Sequence, residues 1–258
     1  LLILSVDLMV ILNHSRFQSF AKDFHKQYSK ALPFPFTVID DFFDQEVFDY
    51  MHDVFPRPDD SMWKNPSNIH TIAKSVVKRG TTGLKENVLS LPARNLFYQL
   101  NSATFLDFLE KISGIIGLCP DPYLNESGFH LSTQSGHLDI HADYSHHDRL
   151  NLERRLNFLV YFNKEWNSSF NGNLGLYDAD LSLIQEIEPL ANRVVIFSTS
   201  KDSYHGFPDK LNLSQSYIDK HYGRKSIAMY YYTVSTGRER HKIIFPQDPD
   251  FSFEPTIV

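Results

Sequence analysis

A single cysteine, Cys119, stands in a chain of 258 residues. An internal disulfide and a zinc cage of thiolates are therefore excluded, and the usage fits a reducing compartment, so a cytoplasmic protein is expected. Runs of Lys or Arg are missing too. The formal net charge is −6, and without a basic stripe there is no electrostatic footprint for DNA or RNA. No apolar run spans a bilayer, which takes about 20 residues. The opening LLILSVDLMVIL has twelve residues, contains Asp7, and lacks the basic leader and small-residue cleavage site of a secretion signal. It reads as a docked helix or an appended segment, and no membrane partner is expected. The first residue is not Met, which suggests a partial or extended reading frame. Asn-any-Ser/Thr sites at Asn125, Asn167 and Asn212 carry little weight in a cytoplasmic chain. Repeats, low-complexity tracts and linkers are absent as well, so one packed unit is expected.

Aromatic residues are abundant: they make up 14% of the chain, within 42% hydrophobic residues, which is ample for a core. Phe17, Phe20, Phe24 and Tyr28, spaced three and four apart, predict an amphipathic helix over 13–32 whose stripe packs into that core. PFPFTVIDDFF (33–43) reads as a strand entered through prolines. DQEVFDYMHDVF (44–55) reads as a helix capped by Asp44, with Val47, Phe48, Met51 and Phe55 on one face. A further helix is predicted over 93–112, ending near Gly114. From about residue 120 the character changes. Short β-rich runs (RLNFLVYFN, GNLGLYD, NRVVIFSTS, KSIAMYYYT) alternate with Gly, Asn and Asp, which predicts a mainly β fold with flanking helices, a sandwich or closed jelly roll.

Histidine is the other surplus. GHLDIHADYSHHD (136–148) holds His-any-Asp three times, as His137/Asp139, His141/Asp143 and His146/Asp148. With twelve histidines in the chain a single such pair arises by chance, so the motif needs a third ligand and a context. A non-haem Fe(II) centre of the oxygenase type takes two His and one carboxylate on one face of the metal and leaves the other positions open. A strand supplies two ligands at i and i+2, because alternate side chains point the same way. Alternation then turns His137, Asp139, His141 and Asp143 to one side and Leu138, Ile140 and Ala142 to the other. His137 and His141 lie about 13 Å apart at a rise of ~3.3 Å per residue, so only one pair reaches one ion. His141/Asp143 is last before the polar loop, at a strand end; His146/Asp148 falls in the loop, a less rigid place for a ligand.

For the third ligand, His205 follows the strongly β run RVVIFSTS and precedes Gly206, whereas His221 and His241 follow no such strand. Next comes Arg224 with Ser226 at i+2, a fork and a hydroxyl suited to an end-on carboxylate. Asn157 and Tyr161 share a face of a neighbouring strand and are candidate cosubstrate contacts. His130, His137, Asp139, His146 and His147 read as pocket walls or substrate contacts, and Trp166 as a rim or core residue.

These segments resemble the Fe(II)/2-oxoglutarate-dependent dioxygenases, in particular the bacterial-type subgroup of the prolyl 4-hydroxylase-like branch. The resemblance rests on Gly136, Leu138, His141 and Asp143, on His205-Gly206, on Arg224-Lys225-Ser226 before MYYYT, and on PFPFTVIDDFF, GLCPDPYLNESGFH, RRLNFLVYFNKEW and NRVVIFSTS, and it covers roughly residues 33 to 234. It implies a double-stranded β-helix. It also implies Fe(II) held by His141, Asp143 and His205, 2-oxoglutarate with its far carboxylate on Arg224, O₂ as cosubstrate, and ascorbate as reductant. The implied reaction is oxidative decarboxylation to succinate and CO₂ coupled to hydroxylation of a C–H bond, in a small molecule or, by family analogy, a peptidyl proline. The expected division is an extension and helix at 1–32, then one oxygenase domain at 33–258, with helical support at 33–119, a β-helix core at about 120–234 and a tail at 235–258. Three departures stand out: Leu138 replaces a tyrosine that often helps bind 2-oxoglutarate, Asn171-Gly172 replaces a Gly-Gly turn, and LNLSQSYIDKHYG lengthens the stretch between His205 and Arg224, where it is expected to shape the entrance. A catalytically silent jelly roll that binds metal or a small acid is the alternative; a zinc hydrolase ranks below it, since no general base sits at a recognisable spacing.

Overall fold

The computed structural model describes residues 9–60, 63–64, 71–72, 74–76, 89–220 and 222–250. Most of the opening apolar segment, His221 and the last residues of the tail lie outside them. The elements in chain order are α1 (His14–Lys30), β1 (Phe36–Ile39), α2 (Gln45–Val54), β2 (Trp63–Lys64), β3 (Thr71–Ile72), β4 (Lys74–Val76), α3 (Leu91–Leu100) and α4 (Ala103–Ser113). There follow β5 (Gly128–Ser132), β6 (His137–His141), β7 (His146–His147), β8 (Leu152–Tyr161), β9 (Leu174–Tyr177), β10 (Leu183–Ile187), β11 (Val194–Ser198), β12 (Tyr204–Phe207), the short α5 (Gln215–Asp219) and β13 (Arg224–Val234).

The strands form two antiparallel sheets. The larger runs β1-β11-β8-β13-β5-β4-β2, with β7 paired to β8, and the smaller runs β10-β9-β12-β6-β3. This is the double-stranded β-helix, with helices covering one outer face. Period-two alternation explains why the large sheet serves two cores at once. On β8, Leu156, Phe158 and Val160 point outward into the helical core, as do Ile227, Met229 and Tyr231 on β13. The intervening Asn157, Leu159 and Tyr161, and Arg224, Ser226, Ala228 and Tyr230, face the space between the sheets.

The helical side is an aromatic cluster. Phe17 of α1 stacks on Phe42 at 5.0 Å and meets Phe105 edge-on at 5.8 Å, and Phe105 meets Phe158 of β8 at 4.9 Å. Truncating one such buried ring to Ala costs about 3–5 kcal/mol, so α1 is part of the domain's core and not an appendage. Asn13 caps α1 by accepting from the Arg16 N–H.

Two local expectations need correction. Asp44 occupies the cap position of α2, but its carboxylate makes no cap bond; it accepts instead from Asn13 Nδ2 at 3.0 Å and Arg16 Nη1 at 3.3 Å. The helix expected over 93–112 is two helices broken at Asn101–Ser102. The buried stripe explains the break: Ala93, Leu96, Phe97 and Leu100 on α3 are out of phase with Phe105, Phe108, Leu109 and Ile112 on α4. One straight helix cannot bury both sets. Tyr231 donates to the Leu100 carbonyl freed by the break, at 2.8 Å, and Gly114 ends α4 with φ 74°, where a left-handed cap favours glycine.

Candidate functional site

The mouth of the β-helix is built on β6 and β12. Their pairing sets His205 opposite His141 and Phe207 opposite Leu138, with one residue more on β6 than on β12. That bulge breaks the alternation expected for GHLDIHAD. Leu138 shares the cavity with His141, whereas His137 and Asp139 are not among the cavity's lining residues, and His137 Nε2 lies 4.0 Å from Asp139 Oδ1. Gly206 is needed at the crossing: a Cβ there would sit 2.8 Å from the carbonyl oxygens of both Leu138 and Asp139.

His141, Asp143 and His205 are buried together, with one ligand atom from each within 4.8 Å of the others, the one such group among the described residues. His141 Nε2 is 3.6 Å from Asp143 Oδ1, and His205 Nε2 is 3.5 Å from Asp143 Oδ2. The tautomers follow from the other ring nitrogens. His141 Nδ1 lies 2.9 Å from the Asp139 carbonyl and His205 Nδ1 lies 3.0 Å from the Ser203 carbonyl. Carbonyls only accept, so each Nδ1 carries a proton, and each Nε2 is the ring nitrogen turned toward Asp143. Burial, reinforced by His141, pushes His205 down to about 4 against the pull of Asp143, so its imidazole is neutral. Burial opposes ionisation of Asp143, but Arg154, His205 and His141 outweigh it and hold the carboxyl well below the usual range. Two imidazoles oriented through their Nδ1 contacts and one carboxylate fit a 2-His-1-carboxylate iron centre.

Two residues hold Asp143. Asn157 Nδ2 donates to its Oδ2 at 2.7 Å, and Arg154 Nη2 donates to the same oxygen at 2.9 Å while also donating to Asn157 Oδ1 at 2.8 Å. The Arg154 guanidinium lies over the ring of Tyr230, at 3.5 Å, and over that of Tyr144, at 4.6 Å. Arg154 was not legible in the sequence, because strict alternation from Asn157 turns it away. A bulge between β13 and β8, where Tyr231 faces Leu156 and Tyr232 faces Arg154, turns it inward.

At the other end of the same cavity, of about 210 Å³, stand Tyr161, Arg224 and Ser226. Arg224 donates through Nε to the Gly172 carbonyl at 2.6 Å and through Nη2 to the Tyr161 hydroxyl at 3.4 Å, and its guanidinium sits 4.0 Å from the Phe207 ring. Burial lowers its pKa, with Tyr161 opposing. Among the described residues no carboxylate pairs with this buried cation, which leaves its remaining donors for an anionic ligand. The Asn171-Gly172 turn thus serves as the grip on Arg224. Leu211, Leu213, Tyr217 and Phe170 form a small cluster with Trp166 against it. The LNLSQSYIDKHYG stretch backs the turn, and none of its described residues lines the cavity.

Of the remaining histidines, His130 lines the cavity. His146 and His147 form a short strand on β8 rather than a loop. Leu150 N–H donates to His147 Nδ1, so His147 Nε2 donates to buried Asp121 at 3.2 Å, a structural pair. His241 Nδ1 faces the Lys242 carbonyl.

The wall supplied from beyond β13 has no signal in the sequence. Ala142 and Ile244 exchange two backbone hydrogen bonds of 2.9 Å, Phe245 stacks on His141 at 5.7 Å, and Ile243 and Phe245 line the cavity.

Residues 127–232, which carry the triad and Arg224, match the family model of the 2OG-Fe(II) oxygenase superfamily. Over this region the chain is similar to that superfamily. Among solved structures, a prolyl 4-hydroxylase from Pseudomonas putida aligns with a TM-score of 0.53 at 12% identity, over 83% of this chain and 99% of that one. A prolyl hydroxylase from Trichoplax adhaerens, solved with a hypoxia inducible factor oxygen degradation domain peptide fragment, gives 0.52 at 13% over 87% and 96%. A prolyl 4-hydroxylase from Phytophthora capsici gives 0.55 at 14% over 94% and 70%. At such identities the likeness shows a shared fold. No curated protein matches the sequence. Among the described residues, no helix is long and apolar enough to cross a membrane.

Proposed function

We propose that the protein is an Fe(II)- and 2-oxoglutarate-dependent hydroxylase in which His141, Asp143 and His205 hold the iron. The observation that carries this is the pairing, in one cavity, of a triad whose imidazoles are oriented through their Nδ1 contacts and a buried guanidinium that has no carboxylate partner among the described residues. When bound, iron and 2-oxoglutarate supply the activation of O₂ and the oxidising power; the protein supplies orientation and a dry wall. The reaction balances as R–H + O₂ + 2-oxoglutarate giving R–OH + succinate + CO₂, with one oxygen atom in the hydroxyl and the other in succinate.

Each residue then has a task. Arg224 binds the far carboxylate of 2-oxoglutarate, with Tyr161 and Ser226 beside it. Asn157 and Arg154 hold Asp143 so that Oδ1 is left for the metal. Phe245 and Ile243 exclude water from the side of His141. Ascorbate, as a reductant that restores Fe(II), belongs to the same reading. A peptidyl proline is the substrate carried over from the prolyl hydroxylases, by analogy of fold alone. The experiment is anaerobic addition of 2-oxoglutarate to the Fe(II) protein, then air. A visible charge-transfer band followed by succinate is expected; no band and no succinate would favour a silent jelly roll that binds a metal or a small acid.

A further inference from the structure

A second cavity, of about 310 Å³, meets the first at Asp143, Tyr144 and Arg154. Its walls are the turn Thr199–Asp202 and the segment beyond β13, through Arg238, Glu239 and His241. On the hydroxylase reading the Arg224 end of the first cavity takes the cosubstrate, and this cleft reaches Asp143 of the triad from a different direction.

Its chemistry is specific. Lys201 and Arg238 bring cations to the rim and Asp202 and Glu239 bring anions, and among the described residues none of the four makes an ion pair. Deeper in, the hydroxyl of buried Thr199 has no hydrogen-bond partner, a cost that a polar ligand would remove. No aliphatic side chain larger than a methyl lines the cleft, which disfavours a lipid. An extended peptide commonly binds by adding a strand to a free edge. Here the backbone of Ala142, next to His141, is already bridged to Ile244 of the same chain, so that mode is taken. The volume lies at the small end of ligand pockets, which run from about 300 Å³.

We propose that the primary substrate is an amphoteric molecule of amino-acid size that binds in this cleft, where each wall offers one cation and one anion, its carboxylate taken by Lys201 or Arg238 and its ammonium by Asp202 or Glu239. The proposal rests on the hydroxylase reading of the triad and names the substrate class for it.

The test uses the full chain with Fe(II), 2-oxoglutarate and O₂, and measures succinate with each of the common free amino acids. Their N-acetylated, C-amidated forms, a blocked proline-containing peptide, glucose and a fatty acid complete the set. At least one free amino acid is expected to raise succinate formation and to be hydroxylated, and blocking its termini should lose about tenfold or more, the scale of one charge-assisted hydrogen bond. In Lys201→Ala and Asp202→Ala, both exposed positions, the KM for that amino acid should rise about tenfold while the KM for 2-oxoglutarate stays within about twofold. Stimulation by no free amino acid, or equal stimulation by the blocked forms, the peptide or the fatty acid, overturns the proposal. Absence of succinate under every condition, together with absence of the anaerobic charge-transfer band, instead overturns the hydroxylase reading beneath it.

Discussion

Arg154 donates to Asp143 Oδ2 at 2.9 Å from a side chain that is 1% exposed. Burial works against the charged guanidinium, but Asp143, followed by the surrounding tyrosines, outweighs it and raises its pKa, so the two buried charges support each other. Removing one partner of a buried pair costs about 3–5 kcal/mol, because the other is left uncompensated. Arg154→Met is therefore expected to lower the melting temperature and to weaken Fe(II) binding, read by thermal unfolding and anaerobic titration. Arg154→Lys should recover part of the charge but not the fork that serves Asp143 and Asn157 together. Wild-type iron affinity in Arg154→Met would show that Asp143 needs no such partner.

The three His-any-Asp pairs separate by experiment. His141→Ala and Asp143→Ala should abolish Fe(II)-dependent succinate formation, since each removes a donor from the buried group. His137→Ala should retain most of it, because His137 lies off the cavity, on the far side of the bulge in β6. Equal loss in all three would mean that His137 reaches the reacting centre.

Alternation made part of this site legible in the sequence and hid the rest. Arg224/Ser226 and Asn157/Tyr161 obey period two along uninterrupted stretches of β13 and β8, and the structure brings all four to one cavity with His141, Asp143 and His205. Arg154 and Leu138 obey it only outside two bulges, and a bulge is a matter of how two strands pair, which a single strand's sequence does not carry. Phe245 was illegible for a different reason: it reaches His141 from a hundred residues away through a segment with no strand pattern. The mainly β fold with covering helices was readable from the change of period near residue 120, while the break at Asn101 needed the phase of two buried stripes.

Gly206 offers a test of that bulge. A methyl there would meet two backbone carbonyl oxygens, neither of which belongs to a flexible side chain. Gly206→Ala must therefore push β6 away from β12 and carry His141 with it, at an overpacking cost of about 1–3 kcal/mol. The expected result is a folded protein with slightly lowered thermal stability and a large loss of iron affinity. Unchanged affinity would show that β6 has slack at the crossing.

Arg224→Ala separates cosubstrate from metal. Loss of a hydrogen bond to a charged group costs about 1.5–3 kcal/mol, which corresponds to roughly a 10- to 150-fold rise in the dissociation constant for 2-oxoglutarate. Fe(II) affinity should change little, because Arg224 touches Gly172 and Tyr161 rather than the triad. Calorimetric titration of both ligands distinguishes this from a structural ion pair, for which the two affinities would fall together.

The segment that carries Phe245 onto His141 hangs from Glu153, and this anchor is sensitive to acid. Buried Glu153 accepts from Thr236 N at 2.8 Å, Thr236 Oγ1 at 2.9 Å and Arg238 N at 2.9 Å. Burial works to raise its pKa, but those donors outweigh it and bring the group from 4.5 to about 2. A carboxyl held lower in the folded chain than in the unfolded one stabilises fully above the unfolded value, and the contribution is lost as pH falls from about 4.5 toward 2. Protection factors of the Thr236 and Arg238 amides, corrected for intrinsic exchange, should therefore decline across that window in the wild type. Glu153→Gln should start with weaker protection at neutral pH and show a flatter profile, because its amide has no charge to lose. A parallel decline in both proteins would place the anchor of the segment elsewhere, with the Ser145–His241 bonds as the next point to break.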